Sequence, residues 1–251
     1  MRLHTIVTVG AAVVIVIPSA GCGSDKTDSA PATTSSTTSA ATTTSSPSTP
    51  APPAGPLVQP DQLKGLMPDA AGVSTAVNVP NLGPSESHDS LDLLPDDYAS
   101  DMTCVGAVAD AAIQPYSESP VVLVRTQDFA PADGSGSFSA ITSAILYETV
   151  QDAQDQVAAT VQGWQGCTGK SVQVKTVPPA TFTIGTAADA AGVHTVVNNR
   201  SAPPGPPWAC GRGITARNNV VIDLTVCGGD PAAIGADAAA LVNLIAGKVP
   251  A

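Results

Sequence analysis

The sequence predicts an α+β domain, in which antiparallel strands pack against helices, over residues 57–251. Two segments, one after residue 149 and one after residue 230, repeat apolar residues at helical spacing. Short runs of β-branched and apolar residues, separated by Gly, Pro and Asn, predict strands around them. Four of the five cysteines fall in this region, which indicates two disulfides and an exported protein.

Residues 1–21 resemble the signal peptide of a bacterial lipoprotein. Their apolar stretch, 6–17, is too short for a transmembrane helix of roughly 20 residues. Small residues then precede Cys22, as in a lipobox, although Ser19 stands where Leu is usual. We expect Cys22 to be lipidated and to anchor the protein on the extracytoplasmic face of the cell membrane. Ordinary signal cleavage that leaves a free thiol is the alternative.

Residues 22–56 join the expected lipid anchor to the domain. Thr, Ser, Ala and Pro dominate this segment, which therefore lacks the apolar surface needed to offset the entropy of folding. We expect a disordered linker that holds the domain away from the membrane. Its Ser/Thr-rich composition also makes it a candidate for O-glycosylation, which the sequence leaves open.

The net charge argues against two classes of partner. Removal of residues 1–21, which contain Arg2 and no acidic residue, leaves nine basic and 21 acidic residues, a net charge of −12. A nucleic-acid-binding domain is expected to carry a basic surface, and anionic lipid headgroups attract basic segments. We therefore expect no nucleic-acid partner and a membrane link through Cys22.

Local patterns predict the elements of the domain in order. Asp61 begins a short helix over 61–67, Thr149 caps a helix over 150–164, and Asp230 with Pro231 begins the last helix. Trp164 is interpreted as a core residue of the second helix, with ligand stacking as the alternative. Strands are predicted at 75–79, 121–126, 139–147, 171–177, 181–186 and 195–198, a loop at 80–100, and a turn at 130–136.

Asn218-Asn219 predicts a two-residue hairpin turn, because Asn tolerates positive φ. With this turn Cys210 lies directly opposite Cys227 at a non-hydrogen-bonded position, with Cα atoms roughly 4.5 Å apart. This spacing allows a disulfide, which leaves Cys104 and Cys167 for each other. A zinc site is the rival interpretation, but the cysteines lack the C-x-x-C spacing of such sites.

The predicted hairpin has two different faces. On one face, Gly211 and Gly213 lie opposite apolar residues of the second strand and leave room for a helix to pack closely. The other face carries Arg212 and Asp223, which are diagonal neighbours across the strands. We expect them to form a surface salt bridge that contributes little to stability.

The second half of the domain contains a set of distinctive motifs. They are Trp164-Gln165-Gly166-Cys167, Trp208-Ala209-Cys210, the stretch Arg217-Asn218-Asn219-Val220-Val221-Ile222-Asp223, and Cys227 before a final helix that ends in Lys248-Val249-Pro250. Together these motifs resemble the PknH-like extracellular sensor domain of mycobacteria. The resemblance covers about residues 57–251 and is strongest from Trp164 onward. That domain is the external part of a transmembrane serine/threonine kinase and also occurs alone in mycobacterial lipoproteins.

The resemblance implies a curved antiparallel sheet packed with helices, two disulfides and a large central cleft that holds an unidentified ligand. We expect Trp208 and Arg217 in this cleft, although Trp208 also suits a role over a disulfide and Arg217 a role beside the turn. The open ligand classes are a cell-envelope glycan, a lipid and a small metabolite. The alternative function is a protein–protein docking module of an envelope complex.

No sequence pattern predicts catalysis, a cofactor or a metal site. The nucleophile motif G-x-S-x-G does not occur, and His88 and His194 are interpreted as surface residues. Asp92, Asp96 and Asp97 are more typical of a solvated acidic loop than of a calcium site. We therefore expect a lipoprotein that binds a ligand, is not an enzyme and uses no cofactor.

Overall fold

The computed structural model describes residues 55–176, 178–202 and 205–251. The predicted signal peptide, Cys22 and nearly all of the predicted linker lie outside these residues. Within them the chain forms nine strands and six helices around one open antiparallel sheet. The predicted α+β fold is therefore confirmed.

Nine strands form the sheet. Their bounds are β1 Leu82–His88, β2 Val121–Pro131, β3 Phe138–Tyr147, β4 Ser171–Val174, β5 Ala180–Ile184, β6 Ala188–Ala190, β7 Val193–Ala202, β8 Ala209–Arg217 and β9 Val220–Gly228. The order across the sheet is β1-β2-β3-β9-β8-β7-β5-β4, and β6 pairs with β7 beside this path. The predicted hairpin, β8 and β9, therefore lies near the middle of the sheet.

Helices cover both faces of the sheet. They are α1 Leu63–Leu66, α2 Ala70–Ala76, α3 Val105–Val108, α4 Ile113–Tyr116, α5 Val150–Cys167 and α6 Pro231–Ala246, with a 3-10 turn at Met102–Cys104. One hydrophobic core joins α1, α2 and α6 to the sheet, and a second joins α3, α4 and α5 to the opposite side. We call these sides the α6 face and the α5 face. The central strands are consequently buried on both faces.

The α6 helix packs closely against β8, as the sequence predicts. The Asp230 side chain accepts a hydrogen bond from Ala232 N at the start of the helix. A Cβ atom added to Gly211 would lie 2.7 Å from Ile234 Cγ2, which is closer than side chains pack. The missing side chain of Gly211 is therefore what allows α6 to approach the sheet.

Both disulfides have the predicted pairing. Cys210 lies opposite Cys227 in the β8–β9 ladder, with a Cα–Cα distance of 4.1 Å and an S–S distance of 2.10 Å. Cys104 and Cys167 are joined with a Cα–Cα distance of 5.7 Å. We call the first the hairpin disulfide and the second the cap disulfide. The turn between the strands places Asn218 at φ 53°, the positive value that the sequence predicts.

The Asn218-Asn219 turn also holds both ends of the domain. Asn219 Oδ1 accepts a hydrogen bond from Val58 N at 2.9 Å, and Asn219 Nδ2 donates to Val58 O at 3.1 Å. Asn218 Nδ2 donates to Pro56 O at 3.0 Å and lies 3.4 Å from Pro250 O. The segment that leads into the domain and the one that ends it therefore meet at this turn.

Two predictions for the first half of the domain are wrong. The predicted strand at 75–79 begins inside α2, whose N-cap Asp69 accepts a hydrogen bond from Gly72 N. The predicted loop at 80–100 contains β1, an edge strand with mostly exposed side chains. An edge strand needs no alternating apolar pattern, so Pro84 and its polar neighbours resemble a loop.

Candidate functional site

Residues 102–116 form a small cap over the middle of the α5 face. The cap contains the 3-10 turn, α3 and α4. It is attached to α5 by the cap disulfide and by the Trp164 indole, whose Nε1 donates to Gly106 O at 2.8 Å. Helices of four residues have almost no stability of their own in water. Contacts with α5 and the sheet must therefore hold the cap in place.

A buried ion pair lies beneath the cap. Arg212 Nη2 is 2.5 Å from Asp223 Oδ1, and Arg212 Nη1 donates to Thr225 Oγ1 at 2.8 Å. Arg212 and Asp223 are each only 1% exposed. The predicted pairing is confirmed, but the predicted surface location is wrong, because the cap and α5 cover this face of the hairpin. A buried pair of this kind is costly to break, since either partner alone would be an uncompensated charge.

Asp223 links the sheet to the cap. Its Oδ2 atom accepts hydrogen bonds from Ala111 N at 2.9 Å and from the Tyr116 hydroxyl at 2.8 Å. Burial, together with the Asp223 charge, raises the pKa of Tyr116 well above its usual value, so this hydroxyl remains a donor. Arg212 therefore supports Asp223, and Asp223 in turn holds α4 through Tyr116 and the preceding segment through Ala111.

A second carboxyl group, that of Asp110, shares the same guanidinium. Asp110 Oδ1 lies 3.4 Å from Arg212 Nη1, and Asp110 is 5% exposed. Its Oδ2 atom has no hydrogen-bond partner among the described residues. Burial raises the pKa of Asp110 to about 7, the Arg212 cation opposes this shift, and the Asp223 anion adds to it. The site thus contains two acidic groups for one cation.

Trp164 connects this cluster to a cavity. Its ring centroid is 5.7 Å from Arg212 Cζ, within cation–π range, and its side chain also lines a cavity of about 260 Å³ between the cap and α5. The other lining residues are Met102, Thr103, Val105, Gly106, Ala107, Gln114, Pro115, Ala159, Thr160 and Gly163. Most of these are apolar or small, so the cavity suits a small and largely apolar molecule.

Gln114 supplies a polar group to the cavity wall. Its Nε2 donates to Leu94 O at 3.1 Å, which fixes the orientation of the amide. Its Oε1 atom is buried and has no partner among the described residues. Thr103 and Thr160 also contribute side-chain hydroxyl groups to the lining of the cavity.

A second and more open depression lies between α5 and β7. It has a volume of about 400 Å³ and includes Val157, Val161, Gln165 and His194. His194 Nδ1 is 3.2 Å from Asp189 Oδ2. Among the described residues no group of three His, Cys, Asp or Glu side chains is arranged to hold a metal ion.

The two residues predicted to bind the ligand are far apart. Trp208 lies just before β8 and Arg217 ends it, so they are separated by roughly 30 Å along the strand. Trp208 is half-buried, with Arg200 Cζ 5.5 Å from its ring centroid, and Arg217 is exposed beside the turn. Neither residue lines the cavity at Trp164. A role in binding remains a prediction for each, but they do not belong to one site.

Sequence reasoning missed most of the buried cluster and all of the cap. Asp110, Tyr116 and Gln114 lie in a segment for which no element was predicted. One signal for burial does exist, because β9 is an almost continuous apolar run interrupted by Asp223 and Thr225. Such runs occur in strands that are covered on both faces, which places Asp223 inside the protein.

Together the sheet, the capped cavity and the two disulfides define an extracytoplasmic α+β domain, since disulfides persist mainly outside the cytoplasm. No helix in the described part of the chain has the length and apolar character needed to cross a bilayer. The chain belongs to the family of PknH-like extracellular domains, whose sequence profile matches residues 58–248. None of the curated proteins compared with the chain matches it.

Two solved structures can be compared with this one. The extracellular domain of PknH from Mycobacterium tuberculosis is 21% identical, with a TM-score of 0.70, and the match covers 77% of this chain and 97% of that one. A protein from Mycobacterium smegmatis is 12% identical over 70% of this chain and 97% of that one, but its TM-score of 0.35 supports no argument. The likeness to PknH establishes a shared fold.

Proposed function

We propose that this protein is a membrane-anchored extracytoplasmic lipoprotein that binds a small ligand in the cavity beside Trp164 and is not an enzyme. The observation that carries the proposal is the cavity itself, which combines mainly apolar walls with the polar side chains of Thr103, Gln114 and Thr160. Binding sites typically have this composition, a mainly apolar lining with a few placed polar groups. The volume of about 260 Å³ favours a ligand smaller than a typical drug molecule.

Native mass spectrometry tests ligand binding directly. The protein, purified from its own envelope in detergent, should carry a bound small molecule. Gly163 and Gly166 provide a matched pair of variants, because both lie on α5 with open space around an added Cβ, but only Gly163 lines the cavity. Gly163→Leu should lose the bound mass, whereas Gly166→Leu should keep it. A clean apo mass under several detergent conditions would contradict the proposal.

The lipid anchor is tested separately. Cys22→Ala should release the protein from the membrane fraction, because no other part of the acidic chain is expected to attach it. The variant should retain the folded domain, which near-UV circular dichroism can verify. Membrane retention of the variant would show that lipidation at Cys22 is not the anchor.

An exposed apolar pair, Ile113 on the cap and Leu93 in the neighbouring segment, favours the second candidate function, docking onto an envelope protein. Leu93 is 82% exposed, and the adjacent Ile113 is 38% exposed. Ile113 N donates to Asp92 O at 2.9 Å, which keeps the two segments together. A photo-crosslinking residue at position 93 should then give one discrete adduct in intact cells, while the same residue at Val122 should give none. A lack of any adduct at position 93 would exclude docking through this surface.

A further inference from the structure

Asp223 and Asp110, the two acidic residues around the buried Arg212, have different numbers of hydrogen-bond partners. Asp223 receives three donors, from Arg212, Ala111 and Tyr116. Asp110 has the longer contact with Arg212, at 3.4 Å, and its Oδ2 atom has no partner. A buried site with one guanidinium does not readily accommodate two carboxylates. Asp110 is therefore the group that holds a proton when the cap is docked.

We propose that the protonation state of Asp110 controls the docking of the cap, so that acid closes the cap against the sheet and higher pH loosens it. The geometry supports this role because Asp110 is joined directly to Ala111, which Asp223 binds through its backbone N–H. Ala111 has a φ of 43°, a left-handed conformation that is unfavourable for alanine. The cluster therefore maintains a strained backbone, which relaxes if the cluster is disrupted.

The direction of the pH dependence follows from the pKa of Asp110 in the docked and in the released cap. In the docked cap its pKa is about 7, whereas in an exposed segment it returns toward 3.8. Because the docked value is the higher one, the proton stabilises docking fully below pH 3.8, and this contribution is lost as the pH rises to 7. Over that window the docking equilibrium weakens by up to tenfold per pH unit, and above pH 7 it becomes constant.

Other charged and titratable groups surround Asp110, and none of them reverses this direction. Arg212 on β8 lowers its pKa and Asp223 on β9 raises it. Tyr116 on α4 is a donor whose pKa is raised well above 10. Tyr98, in the segment before the cap, also has a raised pKa, because of its burial and then the charges of Asp110 and Asp92. Both tyrosines therefore stay neutral between pH 4 and 8.

Movement of the cap would change the ligand cavity. Residues 102–103, 105–107 and 114–115 of the cap contribute one wall, and α5 contributes the other. Release of the cap therefore widens the cavity beside Trp164, and protonation closes it. This consequence for ligand access rests on the proposed function, whereas the pH response of the cap does not.

Hydrogen-exchange mass spectrometry of the whole chain in detergent, without ligand, tests the proposal. Exchange is measured between pH 4.5 and 8 and corrected for the intrinsic effect of pH. Peptides from residues 102–116 should show an opening constant that rises by up to about 100-fold from pH 5 to 7 and then levels off. Peptides from α2, which contains no titratable side chain, serve as the internal reference. Asp110→Asn, which cannot ionise, should abolish this rise.

Asp237→Asn is the matched control, because Asp237 has a raised pKa but lies on α6, on the other side of the sheet. It should leave the response of the cap unchanged. A pH-independent cap in the native chain, or a response that persists in Asp110→Asn, would overturn the proposal. If Asp110→Asn does not fold, the pKa of Asp110 can be measured in the native chain by ¹³C NMR titration of its carboxyl group. A titration midpoint near 4 would overturn the proposal.

The outcomes separate the two proposals. If the cap responds to pH but the protein carries no bound small molecule, the proposed switch stands and the proposed ligand-binding function is wrong. If the protein carries a bound small molecule but the cap does not respond to pH, ligand binding stands and the proposed switch is wrong.

Discussion

Replacement of Arg212 by methionine tests the energetic role of the buried cluster. Methionine fills a similar volume but removes the cation that Asp223 and Asp110 share. Breaking one side of a buried pair costs about 3–5 kcal/mol, because the remaining charge is left uncompensated. A domain is typically stable by only about 5–15 kcal/mol, so Arg212→Met should remove a large part of that stability.

Urea unfolding at pH 7, followed by circular dichroism, measures this loss. Arg217→Met provides the control, because Arg217 lies on the same strand but is exposed, and its loss should change the stability by no more than about 0.5 kcal/mol. The difference between Arg212→Met and the native protein should shrink at pH 5, where Asp110 is neutral in both. A loss below about 1 kcal/mol at pH 7 would contradict this prediction, because even exposed salt bridges contribute up to that amount.

Three further predictions concern the disulfides, the packing of α6 against β8, and the Asn218-Asn219 turn. Replacing both cysteines of one disulfide by serine should lower the free energy of unfolding, measured in urea without reductant, by roughly 3 kcal/mol for the hairpin disulfide and roughly 4 kcal/mol for the cap disulfide. The cap disulfide costs more because it closes the longer loop, with linked residues 63 apart in sequence against 17. A larger loss for the hairpin disulfide would contradict the chain-entropy argument. Gly211→Ala should lower the melting temperature and cost about 1–3 kcal/mol, because its Cβ would lie 2.8 Å from Ile234 O, whereas Gly163→Ala should gain up to about 1 kcal/mol. Asn219→Ala should cost about 1–3 kcal/mol and speed hydrogen exchange at Val58, and unchanged exchange there would show that the turn does not hold this segment.

The hairpin could be predicted residue by residue because its register depends on local chemistry. A two-residue turn with a positive φ at Asn218 leaves only one way to pair the strands. The positions of Cys210 and Cys227 then follow, and so does the close approach of α6 to Gly211. The long helices were also predictable, since their caps and apolar stripes are encoded within each segment.

The candidate site was harder to predict because it depends on contacts between distant segments. The cap has little helical preference of its own and owes its position to Trp164, Cys167 and Asp223. The hairpin register predicts from sequence alone that Arg212 and Asp223 lie on the same face, but it does not predict which segments cover that face. Both residues are buried by α5 and by the cap, and the cap in turn is held in place by Asp223 and Arg212. This mutual dependence leaves no local signal in the sequence.

The meeting of both domain ends at the Asn218-Asn219 turn has a mechanical consequence. Pro56 enters and Pro250 leaves at the same corner of the molecule. A tension applied through either end of the domain is therefore transmitted first to this turn. A tether joined to the first residues of the domain and one joined to its last residues would therefore hold it at the same corner, next to the β8–β9 hairpin.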